Sequence, residues 1–164
     1  MATLSALDLR EIAQARLDDA KALREKNRWD GGVYLCGYAV EMALKARICQ
    51  TLSWTTFPIA RSTHGSFFTH NLDVLLNLSG MEGTLKPTVL AEWSIVTKWD
   101  PEVRYTAIGK ATDVDLTLMI DATEELLKKL LRLRHSSNSS GTSSGKFRKK
   151  GARSPCSRLS CGTS

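Results

Sequence analysis

Apolar residues recur every three or four positions through several stretches of this chain, and that period predicts helices. The first runs from about Ser5 to Arg28, with Leu7, Ile12, Leu17, Ala20 and Leu23 as inward candidates. Asp8 and Glu11 near its start suit the helix dipole. A second, from about Val33 to Leu52, carries Leu35, Ala39, Met42, Ala46 and Cys49 on one apolar face. Between them, Asp30-Gly31-Gly32 is expected to break the chain and reverse it, giving an antiparallel hairpin. A last helix, from about Thr112 to Arg134, has Leu116, Met119, Ile120, Ala122, Thr123, Leu126, Leu127, Leu130, Leu131 and Leu133 along it.

The middle of the chain is less regular. Ser53 to His70 has no clear period and reads as a long loop. Asn71 to Leu78 predicts two helical turns ended by Ser79-Gly80. Leu85 to Trp99 predicts a further helix, with Pro87 in its first turn and Asp100-Pro101 as the stop. The expected fold is all-α, an antiparallel up-and-down bundle of four to five helices over residues 1–134. Residues 135–164, a Ser/Gly-rich linker and then a basic segment, are expected to be disordered.

Composition supports this division. The chain has 164 residues and 42% hydrophobic content, enough for one domain with a real core. Its net charge of +6 resides in the tail, because residues 1–134 hold 17 basic and 17 acidic side chains. Nucleic-acid affinity therefore cannot be read from bulk charge; the tail, Lys146-Phe147-Arg148-Lys149-Lys150 with Arg153 and Arg158, would give only weak, salt-sensitive binding. No apolar run approaches the roughly 20 residues that cross a bilayer, and the polar start lacks the parts of a signal peptide, so a cytoplasmic location without membrane contact is expected. The four cysteines agree: Cys36 and Cys49 lie too far apart on one helix to bridge, and Cys156 and Cys161 fall in the tail.

Candidate chemistry concentrates in two places. Tyr34, Tyr38, Glu41 and Lys45 follow spacings of four, three and four, so they share one stripe of the second helix. Glu41 and Lys45 could be an ordinary solvated i, i+4 pair, but the two phenols beside them make the stripe a candidate for ligand binding or an oligomeric interface. The connector Trp99-Asp100-Pro101-Glu102-Val103-Arg104-Tyr105 offers a guanidinium suited to carboxylate or phosphate. Arg104 is expected to pair with Glu41 or another core carboxylate, or to meet a ligand directly. His64 and His70 lie in the long loop and His135 ends the last helix; none has a metal-ligand companion at helical spacing, so neither a metal nor a cofactor is expected. There is no Gly-rich phosphate loop, nucleophile elbow or paired-carboxylate signature.

Three segments, Ala15-Arg16-Leu17-Asp18-Asp19-Ala20, Tyr34 through Ala46 and Trp99 through Tyr105, together resemble a small bacterial or archaeal HEPN-domain protein. The resemblance spans most of residues 5 to 134 and is strongest over Tyr38-Ala39-Val40-Glu41-Met42-Ala43-Leu44-Lys45-Ala46. It implies a four- or five-helix bundle that commonly forms homodimers, and a family tied to nucleotide binding and RNA processing. Small members are often paired with a minimal nucleotidyltransferase in toxin-antitoxin systems. Active ribonucleases of the family use an Arg and a His four to six residues apart, without metal. Here Gly109, Lys110 and Ala111 follow Arg104 where such a histidine would stand, and neither Arg61 to His64 nor Arg61 to His70 has the right separation. Arginine stays protonated and is a poor base.

These residues therefore point first to a non-catalytic nucleotide- or partner-binding protein, with Tyr34, Tyr38, Glu41, Lys45, Arg104 and Tyr105 as the ligand-binding set. Lys45 and Arg104 would contact the anion, the tyrosines would stack or hydrogen-bond, and Glu41 would orient. The alternative is a divergent metal-independent ribonuclease, with Arg104 and His64 or His70 as catalytic candidates. A purely structural reading makes the stripe a dimer interface.

Overall fold

The computed structural model describes residues 4–58 and 65–132. The expected disordered tail, its two cysteines, His64 and His135 lie outside the described residues.

The first helix, α1 (Ala6–Glu25), begins where a serine can satisfy its free amides. The Ser5 hydroxyl accepts from the Asp8 amide at 3.1 Å while the Asp8 carboxylate accepts from the Ser5 amide at 2.7 Å, a reciprocal capping box. The last helix, α6 (Asp113–Leu130), starts the same way, through Thr112 and Asp115. Leu9, Ala13, Leu17 and Ala20 are the buried face of α1; Leu7, expected inward, is exposed because it falls off that three-and-four spacing.

The chain reverses earlier than its glycines suggest. The second helix, α2 (Trp29–Thr51), already contains Asp30, Gly31 and Gly32, and the turn is made by Lys26, Asn27 and Arg28. Asn27 takes the left-handed conformation at φ 55, which asparagine tolerates. The glycines of α2 serve packing instead. A Cβ on Gly32 would lie 2.6 Å from the Leu116 side chain, and one on Gly37 would lie 2.2 Å from the Trp99 ring. They let α6 and the Trp99 segment approach the α2 backbone.

That close approach leaves α2 enclosed. From Ala39 to Cys49 every residue is buried, polar ones included. The three long helices, α1, α2 and α6, all pack on one another, and Arg10 of α1 donates to the carbonyl of Leu131 just beyond α6. Cys36 and Cys49 are free buried thiols; burial pushes Cys36 up to about 12 despite the Thr123 hydroxyl beside it, so it is chemically inert.

Shorter elements close the remaining side. In the loop expected from Ser53 to His70, Ser5 and Thr56 form an isolated antiparallel bridge, and Gly65–Phe68 make one 3₁₀ turn. The next helix, α3 (Leu72–Leu78), is capped by Asn71 and packs on α2. The helix expected from Leu85 to Trp99 is divided: α4 (Glu82–Leu85) passes into a 3₁₀ turn, Lys86–Thr88, and α5 (Leu90–Val96) starts afresh. Pro87 has no amide to donate and its ring crowds the preceding turn, so a continuous helix cannot form across it. The connector after Trp99 is itself a 3₁₀ turn, Pro101–Tyr105, capped by Asp100. The result is all-α, with the α1, α2 and α6 core flanked by three short helices. Among the described residues no helix is long and apolar enough to cross a membrane.

Replacing Gly37 by Ala should destabilise the protein by about 1–3 kcal/mol, since its methyl must displace the Trp99 ring. Urea unfolding followed by tryptophan fluorescence measures the loss.

Candidate functional site

The polar stripe of α2 divides into two clusters. Towards its C-terminal half, Glu41 is only 1% exposed, which would be costly for a lone carboxylate. Two groups meet it: Lys45 Nζ lies 2.6 Å from Oε1, and His70 Nδ1 lies 3.0 Å from Oε2. The ammonium is itself withdrawn from water, its side chain 11% exposed and lying 5.6 Å above the Phe57 ring. Beside it the carboxylate acts as acceptor, so His70 donates from Nδ1 while its ring stays half-exposed. Tyr38 is half-buried next to this pair; burial first, then the charge of Glu41, raises its pKa, so it remains a neutral phenol.

The second cluster lies at the N-terminal end of the stripe. Tyr34 packs against Trp99, ring centroids 6.2 Å apart, and Trp99 is seated on Gly37. Arg104 comes from the 3₁₀ turn, its guanidinium 4.7 Å above the Tyr105 ring. Hydrogen bonding to the Tyr105 and then the Tyr34 side chains raises its pKa further, fixing it as a permanent cation. Its ion-pair partner is Glu102 at 3.7 Å, too long for a hydrogen bond. The expected pairing of Arg104 with Glu41 or another core carboxylate is therefore not made: the 3₁₀ turn holds Arg104 at the surface, and Glu41 is already engaged by the Lys45 ammonium and the His70 ring.

Asp30, Gly31, Tyr34, Val103, Arg104 and Ile108 are among the residues lining a cleft of about 220 Å³ between the first turns of α2 and the connector. Its far wall is fastened by Asp30. The carboxylate accepts from the backbone amides of Gly109 at 2.7 Å, Lys110 at 3.0 Å and Ala111 at 2.9 Å, and these bonds hold its pKa below the ordinary range. The amino-acid order suggested a chain-breaking Asp-Gly-Gly; the available signal for this clamp was only an aspartate that could sit in a helix's first turn.

Residues 6–57, which are α1, the Asn27 turn, α2 and the start of the following loop, match the family model of the HEPN domain. This helical hairpin carries a HEPN domain match. No curated protein and no solved structure matches it. The HEPN match covers Tyr34, Tyr38, Glu41 and Lys45 but stops before His70, Arg104 and Tyr105, so the two clusters are each completed by residues beyond it. Tyr34 and Glu41 are seven residues apart on α2, about 10 Å along its axis. The geometry thus joins Arg104, Tyr34 and Tyr105 in one cluster and Glu41, Lys45 and His70 in the other. His70 is not among the cleft-lining residues. Among the described residues no group of three or more His, Cys, Asp or Glu side chains could hold a metal.

Removing Glu41 would strand the Lys45 ammonium in a buried site. Glu41→Ala should therefore cost about 3–5 kcal/mol, read as a lower urea midpoint.

Proposed function

We propose that this protein is a non-catalytic binder of a phosphate-bearing ligand of the nucleotide class, received in the Arg104 cleft. The observation that carries the reading is the state of Arg104. It is a permanent cation at the surface, braced by two tyrosines and loosely paired with Glu102, beside an open cleft. A guanidinium so placed can face a phosphate in a fixed orientation while an exposed tyrosine offers a base its ring. Lys45 is different: it is tied to Glu41, so its part is to neutralise that carboxylate rather than meet the ligand. HEPN domains often dimerise, and the homodimer and a minimal nucleotidyltransferase companion in a toxin-antitoxin pair enter this proposal from the family alone.

Arg104→Ala should weaken binding of adenosine nucleotides at least tenfold, a loss of about 1.4 kcal/mol or more, while the unfolding midpoint stays within error. Quenching of tryptophan fluorescence provides the titration, and equal affinity in parent and variant would remove the cleft from consideration.

One observation favours the second reading, a divergent metal-independent ribonuclease. The half-exposed ring of His70 is oriented at Nδ1 by a buried carboxylate, the way a carboxylate orients a histidine general base. Against it, Arg104 and His70 belong to separate clusters of the chain, so neither supports the other at one phosphate. On the binding reading, structured and single-stranded RNA stay intact with the protein in excess chelator. Cleavage by the parent that disappears in His70→Gln would put the ribonuclease reading in its place.

A further inference from the structure

The cleft is too small for a whole nucleotide. Its volume of about 220 Å³ falls below the roughly 300–1,000 Å³ of pockets that enclose a small molecule, so one moiety enters and the rest of the ligand lies outside. What lies outside must meet the rim. The segment after the 3₁₀ turn crosses that rim and is pinned at Gly109, Lys110 and Ala111 by the three amide bonds to Asp30, itself a cleft-lining residue. Gly109, at φ 90, supplies the left-handed conformation that this turn requires.

Lys110 is consequently anchored at its backbone and free at its tip. Its amide is 3.0 Å from the Asp30 carboxylate, its side chain is exposed, and among the described residues no carboxylate lies within ion-pair distance of its ammonium. Asp30 bonds the Lys110 backbone amide and forms no ion pair with its ammonium. The long, flexible stem of lysine lets the ammonium act as a mobile point charge, whereas Arg104 lies over the Tyr105 ring and lines the cleft with Tyr34. Arg104 thus lines the cleft, and Lys110 is anchored through its amide to Asp30, another residue that lines it.

We propose that Lys110 is a second anion-binding residue of the Arg104 site, and that the ligand is a nucleoside di- or triphosphate whose outer phosphates reach Lys110. This rests on the Arg104 cleft being the binding site and adds the number of phosphates that it distinguishes. Arg104 takes the phosphate nearest the cleft, and each further phosphate adds charge on the Lys110 side.

The test is titration of the full chain with adenosine mono-, di- and triphosphate at constant ionic strength in chelator, for the parent, Lys110→Ala and Lys110→Arg. The parent should tighten about fivefold per added phosphate. Lys110→Ala should bind the monophosphate as the parent does yet lose most of the gain from di- and triphosphate, and Lys110→Arg should restore it. Equal affinity of the parent for all three nucleotides, or an undiminished series in Lys110→Ala, would overturn the role of Lys110 while leaving the cleft in place. No binding of any nucleotide by the parent would overturn the cleft reading itself, and with it this one.

Discussion

The burial of α2 on all sides is the constraint from which the rest follows. A helix enclosed from Ala39 to Cys49 supplies the core with Val40, Leu44 and Ile48, but it also carries Glu41 into a place without water. Such a carboxylate has to find its partners inside the fold. Lys45 can reach it from one turn away on the same helix, whereas His70 has to be brought by the chain between the helical hairpin and α3. The packing of Phe57 under the lysine belongs to the same solution, since an aromatic face takes the place of some of the solvent that the ammonium has lost.

Close backbone approach governs the other end of α2. Gly32 admits Leu116 and Gly37 admits Trp99, so α6 and the connector both rest almost on the helix backbone. With Trp99 seated there, the 3₁₀ turn that follows projects Arg104 beside Tyr34 instead of into the core. Asp30 then fastens the far end of that connector to the first turn of α2. The cleft is a product of these two attachments, one apolar and one polar, on either side of a short irregular segment.

The division of the stripe into two clusters has a chemical consequence. One cluster places opposite charges in contact, buried, with a histidine added. The other leaves a cation at the surface among aromatic rings. Residues on a single helical face thus carry different duties, because the elements packed against the two ends of that face differ. The HEPN match supports the hairpin that bears the stripe, while the residues that complete each cluster come from later in the chain.

The sequence by itself determined what repeats locally. The period of apolar residues determined the all-α class, the long helices and the buried face of α6, because a 3.6-residue repeat is visible wherever it is continuous. It also determined that Tyr34, Tyr38, Glu41 and Lys45 share a face. Only the tertiary structure decided how glycines and charges are used. Asp30-Gly31-Gly32 reads as a turn, yet it stands inside a helix, where Gly32 makes room for a leucine more than 80 residues later in the chain. Arg104 reads as a partner for Glu41, yet Glu41 is matched by Lys45 and His70, and the three amides bound by Asp30 come from residues with no local pattern at all. Contacts between residues remote in sequence leave no period along the chain, and they are what separates a helix face from a site.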